Sequence, residues 1–457
     1  MSSPTSLPRR CLAACLGLGA LLVVSACQAP TVPKRLPPAQ AAPQTVLPGL
    51  AAPAPSGPPP SEESADTAVT QIDLDEPVKV ALLLPLSGRH AALGEALLNA
   101  AALALFDIAG ARFALIVRDT GATPEGAREA AQSALAAGAR LVLGPVFATS
   151  VETMASEARG VGVNVIAFSN DRTVAGEGVF IMGLAPQPQI DRLVGYASGQ
   201  GLTRFAVLAP QSPYGRAVIE ALQDAVLRYG VELTRVVTYP PGAADVSQEV
   251  RALADYDVRR QALLAQRQVL AARADEAAKL ALKRLDGLET LGAPDFDAVV
   301  VPAGGKRLQT VAPLLAYFDV DPAEVRYLGT AEWADPRLGA EPTLAGGWFT
   351  APPPELWETF RKRYRTSFGK EPPRIAALAY DATALAAVLA RRAVDANEKV
   401  DFSRAALTQP SGFSGVDGVF RFLPDGDIER RLAVLELRRG GFKVLDEAPR
   451  TFQEVAY

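Results

Sequence analysis

The stretch Lys79-Val80-Ala81-Leu82-Leu83-Leu84-Pro85-Leu86-Ser87-Gly88 decides the fold. After Lys79 every residue up to Leu86 is apolar, and Ala91-Ala92-Leu93-Gly94-Glu95-Ala96 then opens an Ala/Leu-rich helical stretch. A strand that is apolar at every position has no solvent face, so its sheet is covered on both sides. The same rhythm recurs at residues 113–118, 141–143, 163–168, 204–208, 233–238, 298–301 and 326–328. Between the early runs lie helices with readable ends: Thr123-Pro124, a cap followed by a first-turn proline, starts one that runs to Gly138. Strands alternating with helices predict an α/β protein built on mostly parallel sheets. About 380 residues exceed what one such core holds, which predicts two lobes.

Residues 245–287 break the rhythm. They form one Arg/Ala/Leu/Gln/Glu-rich segment without Gly or Pro before Gly287, predicting a helix or helical hairpin inserted ahead of the next strand. Its charged face reads as a solvated surface or as a docking face for a partner protein. Further on, residues 353–368 and 375–392 read as helices. A hairpin-like pair follows: residues 418–422, a turn at Pro424-Asp425-Gly426, then residues 431–438.

The N-terminus has another character. Arg9 and Arg10 precede an apolar stretch, residues 11–24, that is too short to span a bilayer well, the layout of a secretory signal. Val24-Ser25-Ala26-Cys27 resembles the bacterial lipobox, which implies cleavage before Cys27 and lipidation of its thiol. Cys11 and Cys15 leave with residues 1–26, so the mature chain offers no disulfide framework and no cysteine metal site. The cut also removes Arg9 and Arg10, taking the formal net charge from −4 to −6. A mildly acidic, mixed-charge chain carries no footprint for nucleic acid. From 27 to 77 the sequence is rich in Pro and Ala and almost free of large apolar residues, so it is expected to be a disordered, semi-rigid tether. At about 3.1 Å per residue it could reach on the order of 100 Å. No later run is expected to cross a membrane.

Val80 to Gly88 with residues 91–96, Leu143-Gly144-Pro145-Val146-Phe147-Ala148-Thr149-Ser150, Ser212-Pro213-Tyr214-Gly215-Arg216 and Gly415-Val416-Asp417-Gly418 through Phe422 together resemble the type I periplasmic-binding-protein domain of the leucine-binding kind. The resemblance runs from residue 78 to the C-terminus. It implies a two-lobed fold with a ligand cleft at strand carboxyl ends and helix N-termini. By analogy the first lobe is 78–198 plus 346–412 and the second 199–345 plus 413–457. It also implies cleft residues: Ser87, Ser150, Ser169, Asn170, Tyr214 and Glu332, the last near where importers place an acidic partner for a ligand amine. Ser87 and Ser150 are equally suited to capping the helices that follow, Tyr214 to packing at the hinge, and Glu332 to a surface loop. Where importers carry an amino-acid signature this chain reads Ala167-Phe168-Ser169-Asn170-Asp171, and an acidic Asp171 would oppose a carboxylate.

The lipobox, the proline-rich tether, the Pro85-Leu86-Ser87-Gly88 opening and the Arg-rich insert also resemble the penicillin-binding-protein activators. These are outer-membrane lipoproteins that stimulate a peptidoglycan synthase by contact. That resemblance implies a non-enzymatic, lipid-anchored protein facing the periplasm, with a bifunctional penicillin-binding protein as partner. The other reading is a substrate-binding lipoprotein of an ABC importer for amino acids or another small anionic solute. No catalytic set, cofactor or metal site is expected. His90 is the only histidine, there is no G-x-S-x-G, and Ser367-Phe368-Gly369-Lys370 lacks its companion motifs.

Overall fold

The computed structural model describes residues 76–108, 112–273 and 275–452. The signal segment, Cys27 and nearly all of the tether lie outside them. The described residues belong to one compact unit, Thr70–Tyr457.

The first lobe begins with β1 (Val78–Leu84), α1 (Ala91–Ile108), β2 (Phe113–Asp119), α2 (Pro124–Ala136), β3 (Leu141–Leu143), α3 (Ala148–Gly160), β4 (Asn164–Ala167) and β5 (Val179–Ile181). Its sheet has the order β2-β1-β3-β4-β5 and every pairing is parallel. The apolar run of β1 is explained by two cores. Val80, Leu82 and Leu84 face one and Ala81 and Leu83 the other, the latter with Ala127, Ala131 and Met154 of α2 and α3. The Thr123 hydroxyl accepts from the Gly126 N–H at 3.1 Å and Pro124 sits in the first turn, so α2 starts where its cap predicts.

The chain then crosses to α4 (Pro186–Gly199), β6 (Arg204–Pro210), α5 (Pro213–Tyr229), β7 (Glu232–Tyr239), α6 (Ser247–Leu253), α7 (Tyr256–Ala271), α8 (Glu276–Leu285), β8 (Ala298–Val300), α9 (Gly305–Tyr317), β9 (Arg326–Gly329) and β10 (Trp348–Ala351). It returns through α10 (Pro354–Phe368), α11 (Ala376–Ala396), α12 (Arg404–Leu407), β11 (Phe413–Gly415), β12 (Gly418–Phe422) and β13 (Ile428–Arg430). It ends in β14 (Ala433–Arg438) and β15 (Gly441–Asp446). The second sheet has the order β15-β14-β10-β9-β8-β6-β7, parallel except where β14 meets β10 and β15.

The exchange points differ from those expected. Helix α4 and strand β10 belong to the second lobe, because Ile190, Leu193 and Val194 bury against Phe205, Val207 and Leu222. Strands β11 to β13 form a small sheet on the first lobe, because Phe420, Phe422 and Ile428 share a core with Phe180 and Met182. The expected hairpin partner is also wrong. β12 pairs with β13 (Phe422 opposite Ile428), and residues 431–438 cross to the other sheet. The tight turn is the reason: the Leu423 N–H donates to the Asp427 carbonyl at 2.8 Å, closing the ladder immediately. Strand β5 was not anticipated.

Helix α1, with the turn before it, is long and apolar enough to pass for a membrane span. It lies along α11, burying Leu97, Ala100 and Ala101, so its composition reflects a protein core. Gly94 lets the first turn of α1 close against the loop after β1, since a Cβ there would overlap the Pro85 carbonyl oxygen; Gly215 repeats the device against Pro210 in the second lobe.

The insert is helical as expected, as α6, α7 and α8. Helix α7 buries only Arg259, Leu263 and Leu270. The Arg259 guanidinium donates to the carbonyls of Gly292 and Ala254 and pairs with Asp319 at 3.0 Å, which staples the insert to the lobe. Arg259→Met keeps the stem packing but strands these acceptors. It should lower stability by about 1–3 kcal/mol in chemical denaturation, with the rest of the fold intact.

Candidate functional site

A cavity of about 550 Å³ lies between the lobes. The first lobe contributes Phe147 at the start of α3, Phe168, Ser169 and Asn170 after β4, and Ile375 and Leu378 at the start of α11. The second contributes Tyr214 in the first turn of α5 and Glu332 in the 3-10 turn Ala331–Trp333 after β9. Apart from Ile375 and Leu378, which follow α10, these residues lie past strand carboxyl ends, the place where α/β sheets bind ligands.

Four of the six candidate residues therefore meet. Ser169 is 5% exposed, and its hydroxyl oxygen accepts from the Asp171 N–H at 3.1 Å, leaving the proton free to donate into the cavity. Asn170 stands beside it, exposed. The Tyr214 hydroxyl bonds the Thr330 hydroxyl at 2.9 Å, and burial pushes its pKa far up, so it stays neutral. Glu332 is desolvated, which pushes its carboxyl above the ordinary range. Gly304 makes room for it, because a Cβ there would stand 2.9 Å from Oε2.

Ser87 and Ser150 are elsewhere, and neither caps a helix through its side chain. Ser87 hydrogen-bonds Asp119; burial alone would raise that carboxyl, but the bonds from Ser87, Gly121 and Leu86 outweigh it and hold it low. Ser150 lies inside α3, 1% exposed, with its hydroxyl 3.4 Å from the Thr123 carbonyl; the helix is capped at Phe147. Asp171 does not oppose a ligand as expected. Its carboxylate turns away to accept from the Thr173 N–H and hydroxyl at 3.0 and 2.7 Å.

The sequence reading missed the floor of the cleft. Gln189 bonds Leu184 and Ala185 through its amide nitrogen and accepts from the Ala331 N–H at 2.8 Å, tying a crossover to the Glu332 turn. Arg374 and Asp417 also line the cavity, 2.6 Å apart, an ion contact without full hydrogen-bond alignment. Behind them Asp381 accepts from the N–H groups of Val416 and Asp417 at 2.6 and 3.2 Å. The buried Arg430 donates to the Asp417 carbonyl at 3.1 Å and stands 3.8 Å from Asp381. The signal that could have found Arg374 is its place directly after Pro372-Pro373 at a helix start. Among the described residues no cluster of three metal-ligating side chains exists.

The profile of the family described as periplasmic binding protein matches residues 77–442. The chain belongs to the periplasmic binding protein family. Among solved structures it is similar to an ABC transporter substrate-binding protein from Sphaerobacter thermophilus (17% identity, 82% of this chain and 99% of that one, TM-score 0.61). A solute binding protein from Rhodopseudomonas palustris in complex with 3,4-dihydroxybenzoic acid shares 16% identity over 81% of this chain and 96% of that one, TM-score 0.56. The branched-chain amino acid transporter substrate binding protein LivJ from Streptococcus pneumoniae, in complex with isoleucine, shares 17% identity over 81% of this chain and 100% of that one, TM-score 0.53. At these identities the likeness establishes the fold. An uncharacterized protein from Rickettsia prowazekii is 22% identical over 174 residues, 38% of this chain; the match spans about half of that relative's length, 46%.

Within this periplasmic binding protein, burial, reinforced by the Asp417 charge and opposed by Arg430, pushes Asp381 from 3.8 up to about 7. The folded chain thus holds this proton more tightly than the unfolded chain does. Stability from this residue is full below about pH 4 and is lost as pH rises through about 7. Asp381→Asn should flatten that slope in melts run between pH 4 and 8.

Proposed function

We propose that the chain is the solute-binding component of an ABC importer, carrying a small solute with an apolar body in the cleft between its lobes. The observation that carries this is the make-up of the cavity. Phe147, Phe168, Ile375 and Leu378 form apolar walls, while Ser169, Tyr214 and Glu332 converge on it from both lobes. Pockets of this volume with a few convergent polar groups suit small ligands. Relatives whose structures hold isoleucine and 3,4-dihydroxybenzoic acid support the reading, since both ligands join an apolar body to a carboxylic acid. The tether and the insert, which suggested an activator of a penicillin-binding protein, are equally compatible with a tethered receptor, and the family supports the receptor. Lipidated Cys27 would hold it on the periplasmic side of an envelope membrane.

Titration calorimetry against amino acids and aromatic acids tests the function, with micromolar or tighter binding of at least one expected; silence across the series would sink it. Glu332→Ala should weaken that binding by about 10-fold or more, the worth of one charge-assisted hydrogen bond. For the anchor, Cys27→Ser should move the protein from the membrane to the soluble fraction of lysed cells, and retention with the membrane would count against lipidation.

A further inference from the structure

Resting on the solute-binding reading, we propose that Arg374 is the anion subsite of the cleft, the group that takes an ionised acid of the ligand and sets a preference for acids over their neutral analogues. Arg374 is the one cation among the described residues lining the cavity. The carboxylates there are not equivalent. Asp335 is committed to Arg337 at 2.7 Å, and Asp417 to Arg374 itself, while the desolvated Glu332 stands on the opposite lobe.

The Arg374 guanidinium is held in a fixed plane. Its central carbon lies 4.2 Å from the centre of the Trp357 ring, and Asp417 fixes Nη2. A guanidinium offers five N–H donors in a planar fork matched to a carboxylate, and Asp417 meets it at Nη2 alone. Nη1 is itself buried and has no hydrogen-bond partner, while the side chain as a whole is 29% exposed. Asp417 does not cancel the charge fully, because its own field is shared with Arg430 behind it. Ile375 and Leu378, one and four residues on, line the same cavity, so an acid group at Arg374 would adjoin an apolar body. Ser169 and Glu332 remain for hydrogen-bonding groups elsewhere on the ligand.

The test is calorimetry of the protein with L-isoleucine, benzoate and 3,4-dihydroxybenzoate, each beside its primary amide. The acid of the bound pair should bind at least about 10-fold tighter than its amide, as charge-assisted pairing to a fork requires. Arg374→Gln should abolish that preference. Asp417→Asn, which leaves Arg374 in place and removes its competing carboxylate, should widen the preference for the acid over its amide. This opposite response separates anion binding from a structural role and serves even if Arg374→Gln does not fold. A preference for acids that survives Arg374→Gln, or an Asp417→Asn variant that weakens acid and amide alike, overturns the assignment while leaving the solute-binding reading intact. Absence of heat from every acid and amide overturns both.

Discussion

The guanidinium of Arg430 is the point on which the two-lobed arrangement depends. It is 3% exposed and lies at the end of β13, where the chain leaves the first lobe for the second. It reaches the Asp417 carbonyl on the β11–β12 loop, stands near Asp381 on α11, and stacks 4.9 Å from the Phe420 ring centre. Its other end points to the carbonyl of Met182, where the chain makes its first crossing, at 3.5 Å. The remaining crossing, between β10 and α10, is held at the same place. Gly418 has φ +81°, and a Cβ on it would stand 3.0 Å from Pro353 and 3.5 Å from the Arg431 carbonyl. Two of the three crossings therefore meet at one buried cation, and the third passes beside Gly418, next to the Asp417 that this cation holds. Burying a charge is costly unless it is compensated, and here the Asp417 carbonyl, Asp381 at 3.8 Å and the field of the Asp417 carboxylate supply the compensation.

That node is also the back wall of the cleft, which links architecture to recognition. Asp417 shows its carboxylate to Arg374 on the cavity side while its backbone carbonyl takes Arg430 on the buried side. Gly415 is required at this turn, since any Cβ would run into the Asp381 carboxylate. A group bound at Arg374 thus acts on the same residue that orders the crossings. The ion network serves geometry more than net stability, because a buried ion pair offsets little beyond its own desolvation.

How legible this was depended on whether the determining interaction was local. Residues 79–84 announced a doubly covered parallel sheet because every side chain of β1 except Lys79 is in a core, and Thr123-Pro124 announced α2 because a cap is a matter of three residues. Ser169, Tyr214 and Glu332 could be placed because each follows a strand end directly. The lobe exchange points could not. Strand β13 is three residues long and turns on Arg430, whose partners are 13, 49 and 248 residues away in the chain. Nothing near Arg430 in sequence says that it is buried. Ser150 misled for the converse reason: its hydroxyl meets Thr123 of the preceding helix cap, a contact visible only once α2 and α3 pack. Asp171 misled because a carboxylate two residues from Thr173 caps its own turn, which composition does not distinguish from one facing a ligand.

The same contrast explains the division of labour between the lobes. The second lobe presents Glu332 in a turn held by Gln189 from the crossover and roomed by Gly304, so its position is set by backbone contacts rather than by an ionic partner. The first lobe presents Arg374 on an aromatic platform with an ionic partner already in place. A desolvated carboxyl on one wall and a partly compensated guanidinium on the other disfavour an empty, closed cavity, since each group keeps unmet polar capacity there. A solute with a donor at one end and an acid at the other removes both penalties at once. On the proposed solute-binding role, the lobes would gain from being bridged only with such a solute present, and the apolar side chains between them would supply the rest of the contact.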